Sequence, residues 1–246
     1  MKKPPWLLVI ATVLVASSAA LYGVHYLIFH DAHHILIYLV GDIAFVPLEV
    51  LLVVVIIERI LSHREHQRLM QKLNMVIGTF FSELGTRLLG DLIGGIDNRE
   101  ELGEQLCVTA DWSPQDYRSS LRAIRASELE VDVDRLDLEA LRSALAEKRQ
   151  MLVALLANPN LLEHDRFTNL LWAVFHLLEE LEARDALDDL PESDRKHLQG
   201  DVRRVAALLT AEWLLYCRHL QAKYPYIFSI VVRTHPLQAS PCATVT

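Results

Sequence analysis

Residues 35–57 read ILIYLVGDIAFVPLEVLLVVVII, an apolar run that carries Asp42, Pro47 and Glu49. A hydrocarbon core of ~30 Å is crossed by about 20 apolar residues at helical rise. This run has that length, and Glu58 and Arg59 mark its far boundary. It is expected to span a membrane. Carboxylates inside a span cost roughly 2.5 to 3.5 kcal/mol on insertion scales and turn toward a partner helix or a watery cavity. Asp42 and Glu49 are therefore the first functional candidates. Seven residues of helix return to within about 20° of one direction and advance about 10 Å, so both acids share a face. Pro47 between them removes a backbone donor and clashes with the carbonyl of Ile43, which predicts a kink or loosened turn beside the acids. Two readings follow: hydrogen-bonded packing groups between helices, or an ion or proton pathway.

Upstream, Lys2, Lys3, Pro4 and Pro5 precede an uncharged stretch from Trp6 to Phe29. Residues 16–20 (ASSAA) imitate a signal-peptidase site, but the apolar run continues past them, which favours a retained span over a cleaved signal. The link between the spans holds no Lys or Arg, whereas Lys2 and Lys3 flank one side and Arg59, Arg64, Arg68 and Lys72 the other. By the positive-inside rule both termini are expected in the cytoplasm and the chain in the plasma (inner) membrane. An antiparallel hairpin turning near Ala32 sets Asp42 at the depth of Tyr22 and near His25. A hydrogen bond from Tyr22 or His25 to Asp42 is the specific pair expected. At the tip, His30, Asp31, His33 and His34 are donor types that suit Zn²⁺ or Cu²⁺, although their spacing matches no recognised metal pattern.

Downstream, Leu69, Leu73, Val76, Phe80 and Leu84 recur at intervals of three and four, so the second span is expected to continue as one long helix. Gly78, Ser82 and Gly85 form a small-residue stripe that admits close approach of another helix. That helix belongs either to a second copy, giving a homo-oligomer, or to the chain's own later segments. The glycines between Gly90 and Gly103 read as a hinge. The expected domains are a transmembrane hairpin at 1–62 (spans about 6–29 and 35–57), a cytoplasmic stalk and hinge at 63–96, a helical bundle at 97–235 and a flexible tail at 236–246. Within the bundle, helices are predicted from Ser113 to Ala126, Asp137 to Ala157, Arg166 to Leu187 and Pro191 to Lys223. No strand-like alternation appears, and the fold class is all-α.

Three pairs in the bundle have metal-ligand character: Glu163 with His164, His176 with Glu179 and Glu180, and His197 with Asp201. Spacings of three or four put each helical pair on one face, as in bundle di-iron sites. The core stripe of the third helix is Phe167, Leu170, Val174, Leu177 and Leu181. His176 lies nearly opposite it beside Trp172 and Glu179, which predicts a surface or second-interface residue. On the last helix Asp201, Glu212 and His219 share a stripe but lie too far apart to hold one ion.

The chain is 52% apolar with a mean hydropathy of +0.21, an excess concentrated before residue 62. Beyond residue 58 there are 22 basic against 28 acidic residues and no basic stripe, which argues against a nucleic-acid partner. Phosphate loops, nucleophile elbows and HExxH motifs are absent, and no catalytic residue is assigned. Cys107, Cys217 and Cys242 have no paired spacing and are expected reduced.

Residues 159–176 (PNLLEHDRFTNLLWAVFH) and 224–229 (YPYIFS) resemble segments of uncharacterised prokaryotic proteins with an N-terminal membrane hairpin and a helical cytoplasmic domain. The resemblance covers most of the chain and implies the architecture without an activity. The leading functional expectation is an oligomer around a pathway lined by Asp42 and Glu49, with Pro47, His25 and Tyr22 beside them. A membrane-anchored scaffold for a cytoplasmic protein partner is the alternative, and a metal-dependent membrane enzyme the third.

Overall fold

The computed structural model describes residues 5–97, 103, 106–126, 129–238 and 242–244, and only the backbone of residues 5, 7, 66–69, 162 and 163. The described chain is helical, with one isolated antiparallel bridge between Ile96 and Val131. It divides into two compact units, Met1–His66 and Gln67–Thr246.

The first unit holds α1 (Pro5–Phe29) and most of α2 (Ala32–Phe80), which continues through Pro47. Both are long and apolar enough to cross a membrane by length and composition. The turn between them is two residues long. His30 takes a left-handed conformation (φ 51°), and its N–H donates back to the Tyr26 carbonyl at 2.8 Å. Asp31 caps α2, its Oδ1 accepting from the N–H groups of His33 (2.9 Å) and His34 (3.1 Å). The His34 backbone bond is the main cause holding the Asp31 carboxyl below its usual range.

The second unit begins inside α2 and continues through a π-helical turn (Phe81–Gly85) into α3 (Thr86–Ile93). Neighbours on an α-helix point about 100° apart, yet Phe80 and Phe81 are both fully buried. They reach different partners: Phe80 meets Phe167 edge-on at 5.3 Å, while Phe81 stacks on Tyr216 at 4.9 Å. The widened turn is closed by Thr86, whose N–H and Oγ1–H both donate to the Phe81 carbonyl, the hydroxyl at 2.8 Å. The hinge expected from Gly90 onward therefore starts inside packed structure. Leu88, Leu89, Leu92 and Ile93 are buried, and the compact division falls at His66/Gln67.

The remaining helices are α4 (Pro114–Ala126), α5 (Leu138–Glu147), α6 (Arg149–Leu156), α7 (Asp165–Glu182), α8 (Glu192–Lys223) and α9 (Pro225–Thr234). Ser113 and Asp116 make the reciprocal capping box that starts α4: Ser113 N–H donates to Asp116 at 2.7 Å, and Ser113 Oγ accepts from Gln115 N–H at 3.2 Å. The segment predicted as one helix from Asp137 to Ala157 breaks at Lys148, where no Gly or Pro marks it. Lys148 Nζ reaches Glu83 at 3.1 Å. α7 stops at Glu182, short of the predicted Leu187. The central helix is α8, packed against α7, α4, α9 and α3. Its apolar stripe of Leu198, Val202, Val205, Leu209, Trp213 and Tyr216 is buried, as is the predicted stripe of α7.

The expected tail begins later than residue 236. His235 is buried against the Trp213 ring, a Cβ on Gly90 would meet Pro236 at 3.4 Å, and Cys107 Sγ donates to Gln238 at 3.7 Å. Burial pushes the His235 pKa down to about 4, against the smaller opposing pull of the Val108 backbone. The unfolded chain then binds the proton more readily than the folded one. Stability is complete above the unfolded value of about 6.5 and falls as pH drops toward about 4, with about 2 kcal/mol lost by pH 5. Urea unfolding at pH 7 and pH 5 measures this loss, and His235→Phe is expected to remove most of the difference.

Candidate metal centre

Helices α7 and α8 are joined by a short loop around Leu187, and each carries a histidine followed four residues later by an acid: His176 and Glu180, then His197 and Asp201. Four-residue spacing stacks each pair on one helix face. The two histidines lie 11 and 10 residues from Leu187, so the antiparallel chain reversal brings them level. The four donor atoms all lie within 4.8 Å of one another.

Asp201 forms the floor, with a side chain only 3% exposed, while His176 and His197 are 44% and 54% exposed at the rim. Its Oδ1 accepts from Arg204 Nη1 at 2.9 Å. Its Oδ2 is buried and accepts no hydrogen bond, although the Nε2 atoms of His176 and His197 face it at 3.5 and 3.4 Å. A buried carboxylate oxygen left without a partner is costly, and here two imidazole nitrogens stand just beyond bonding distance from it. On the far side, Glu180 lies 3.4 Å from His197 Nε2 and 3.8 Å from His176 Nε2. Arg184 orients it by donating to Oε2 at 2.9 Å, and is itself held by both oxygens of Asp194 at 2.9 and 3.2 Å. The Arg184 hydrogen bond is the main cause keeping the Glu180 carboxyl below its usual range, helped by His197 and His176 against burial. The acid is thus held ionised.

A four-coordinate ion with bonds of about 2.0–2.2 Å has ligand atoms about 3.4 Å apart. The separations of Asp201 Oδ2 from the two imidazoles, 3.5 and 3.4 Å, match such edges, and Glu180 faces the imidazoles with different oxygens, Oε2 at 3.4 Å from His197 and Oε1 at 3.8 Å from His176. The constellation can bind a metal dication with small side-chain adjustments.

The other candidates fall differently. His164 Nδ1 accepts from Phe167 N–H at 3.2 Å as the cap of α7, and the Glu163 side chain lies outside the described residues. Glu179 turns toward Arg149 at 3.8 Å. Glu212 is buried beside Arg166 at 3.5 Å, and burial raises its pKa against that arginine's pull. His30, Asp31, His33 and His34 do not converge as a donor set, because Asp31 is used as a helix cap. Neither Tyr22 nor His25 hydrogen-bonds Asp42; the His25 ring instead stacks on His34 at 6.2 Å, and Asp42 and Glu49 are exposed on α2 around Pro47. Along the small-residue stripe, a Cβ on Gly78 would meet Tyr216 at 3.6 Å and one on Gly85 would meet Phe80 and Phe81 at 2.7 Å, while Ser82 is exposed. Ser82 also hydrogen-bonds the Tyr216 hydroxyl, so all three positions meet the chain's own side chains.

Sequence reasoning named every ligand of the candidate centre and placed His176 at a surface or second interface, where its side chain is 44% exposed, but did not bring the two helices together. Periodicity locates a residue relative to its own core stripe and says nothing about a neighbouring helix that walls the flank. The signal that could have found the site is the repetition of the His-x-x-x-acid spacing at equal distances on either side of one turn.

Comparison with known proteins gives two family matches. Residues 69–233 match a family described as "Uncharacterized protein MJ1433, C-terminal helical domain", and residues 2–61 match "MJ1433, N-terminal helical domain". The chain is 40% identical over 232 residues to "Uncharacterized protein MJ1433" of Methanocaldococcus jannaschii, covering 94% of this chain and 93% of that protein. No solved structure gives a significant match. The chain therefore belongs to the MJ1433 family of proteins with N- and C-terminal helical domains.

Proposed function

We propose that this is a membrane-anchored, divalent-metal-binding protein. In this reading α1 and α2 hold the chain in the plasma membrane with both termini cytoplasmic, and the unit from Gln67 onward binds an ion between α7 and α8. The observation that carries the metal reading is the unpartnered, buried Oδ2 of Asp201 facing two imidazole nitrogens, with the ionised Glu180 opposite. An ion bound there ties the end of α7 to the start of α8 and gives Asp201 Oδ2 the partner it lacks. The test is equilibrium dialysis of the chelator-stripped, detergent-solubilised full chain against Zn²⁺. Retention of an ion by the native chain and by a His33→Ala/His34→Ala variant, with its loss in Asp201→Asn, supports the reading. Equal retention by Asp201→Asn and native protein sinks it.

A second reading concerns α2. Asp42 and Glu49 are exposed and find no hydrogen-bond or ion-pair partner among the described residues, within the most apolar part of the helix. Acids so placed in a bilayer need a second copy or an aqueous lumen. An oligomer that rings them around an axis would pass ions or protons. Flux into liposomes that falls in Asp42→Asn or Glu49→Gln at matched oligomeric state supports this, and a native chain that passes nothing removes it.

A further inference from the structure

We infer that the α7–α8 centre takes a single borderline transition-metal dication of the Zn²⁺ class, four-coordinate, and neither a bridged pair of ions nor Mg²⁺ or Ca²⁺. The inference rests on the metal-binding reading above and specifies the ion.

The donor set argues first. Two imidazole Nε2 atoms and two carboxylate oxygens converge. Imidazole suits Zn²⁺, Cu²⁺, Fe²⁺ and Ni²⁺, whereas Mg²⁺ and Ca²⁺ take six or more oxygen ligands.

The arginines argue second, and more sharply. A two-ion bundle centre needs carboxylates that bridge, with each oxygen free for its own ion, and further acids on neighbouring helices. Here the bridging positions are taken. Glu180 Oε2 accepts from Arg184 Nη1 at 2.9 Å, and Asp201 Oδ1 accepts from Arg204 Nη1 at 2.9 Å. Asp194, the next acid along, is committed to both ends of the Arg184 fork. A second dication would have to stand where two guanidinium groups already are. The Arg204 bond fixes Asp201 with Oδ2 toward both imidazoles, while Glu180 presents Oε1 to His176 at 3.8 Å and its Arg184-bonded Oε2 to His197 at 3.4 Å. Arg184 and Arg204 are therefore positioning residues that set both the geometry and the count.

The probe is Co²⁺, whose visible absorption is intense when four-coordinate and weak when six-coordinate. The stripped full chain in detergent is titrated with Co²⁺, with bound ion counted by dialysis. The difference between the native chain and Asp201→Asn isolates this centre from the tip histidines. His197→Ala, at an exposed position, gives the same difference should Asp201→Asn fold poorly. One Co²⁺ per chain in the difference, with intense bands displaced by Zn²⁺ and unmoved by a large excess of Mg²⁺, is the expected result. Two ions in the difference, a weak six-coordinate spectrum or displacement by Mg²⁺ overturns the inference while leaving a metal-binding protein. Absence of any difference for Co²⁺, Zn²⁺ and Mg²⁺ alike overturns the metal-binding reading together with it.

Discussion

Asp201→Asn is expected to abolish the rise in melting temperature that Zn²⁺ gives the native chain. An ion that binds only the folded state at 100 times its dissociation constant adds about 2.7 kcal/mol. For a unit the size of Gln67–Thr246 that corresponds to a shift of about 5–10 °C. The amide of the variant keeps an oxygen for Arg204 and turns an N–H₂ toward the imidazoles, so it offers donors where the ion needs an acceptor. Without metal the sign reverses or vanishes. The native Oδ2 is buried and unpartnered, and an amide at that atom can donate to a neutral imidazole. Melts in chelator and in Zn²⁺ should therefore show native and variant chains close together in the first and separated in the second. A variant that melts several degrees below the native chain in chelator would make Asp201 a structural acid instead of a ligand.

Gly85→Val is expected to cost at least about 3 kcal/mol, and Gly78→Ala to be neutral or stabilising by up to about 1 kcal/mol. Both glycines belong to one small-residue stripe, so composition alone gives them the same sign. Their surroundings differ. A Cβ at Gly85 would stand 2.7 Å from Phe80 Cε1 and from Phe81 Cδ1. Neither ring can retreat: Phe80 is wedged against Phe167 and Phe81 lies flat on Tyr216. The backbone of Gly85 is ordinary right-handed helix (φ −61°), so the penalty is steric and not conformational. At Gly78 the nearest atom is Tyr216 Cε2 at 3.6 Å, ordinary contact, and alanine brings the helix preference that glycine lacks. Denaturant midpoints of the two variants measure the contrast, and equal effects would mean that the π turn relaxes.

The apolar stripes of α7 and α8, the Ser113 cap and the 49-residue reach of α2 were legible in the sequence because each is a property of one segment and its own period. The break at Lys148 falls where no Gly or Pro marks it, and the π turn from Phe81 ends on Gly85, whose missing side chain leaves room for the Phe80 and Phe81 rings. The Tyr22 or His25 bond to Asp42 needed matching helix faces as well as equal depth, and the His25 ring lies instead beside Phe29 at 4.8 Å and His34 at 6.2 Å. The hinge assigned from Gly90 rested on glycine content, but Gly90 follows buried Leu88 and Leu89 and lies beside Pro236. In the candidate centre the four ligand types were visible, and their convergence was not, because it depends on two helices at once.

That last contact has a consequence for how the protein is made. Residues 235–238 close over Trp213, Gly90 and Cys107, and α8, the helix that the rest of the unit surrounds, is nearly the last to be synthesised. Leu73, Phe80, Phe81 and Leu88 leave the ribosome long before the partners that bury them. The core of the unit from Gln67 onward therefore cannot close until residues 235–238 have been made, and its earliest apolar residues wait on much later partners.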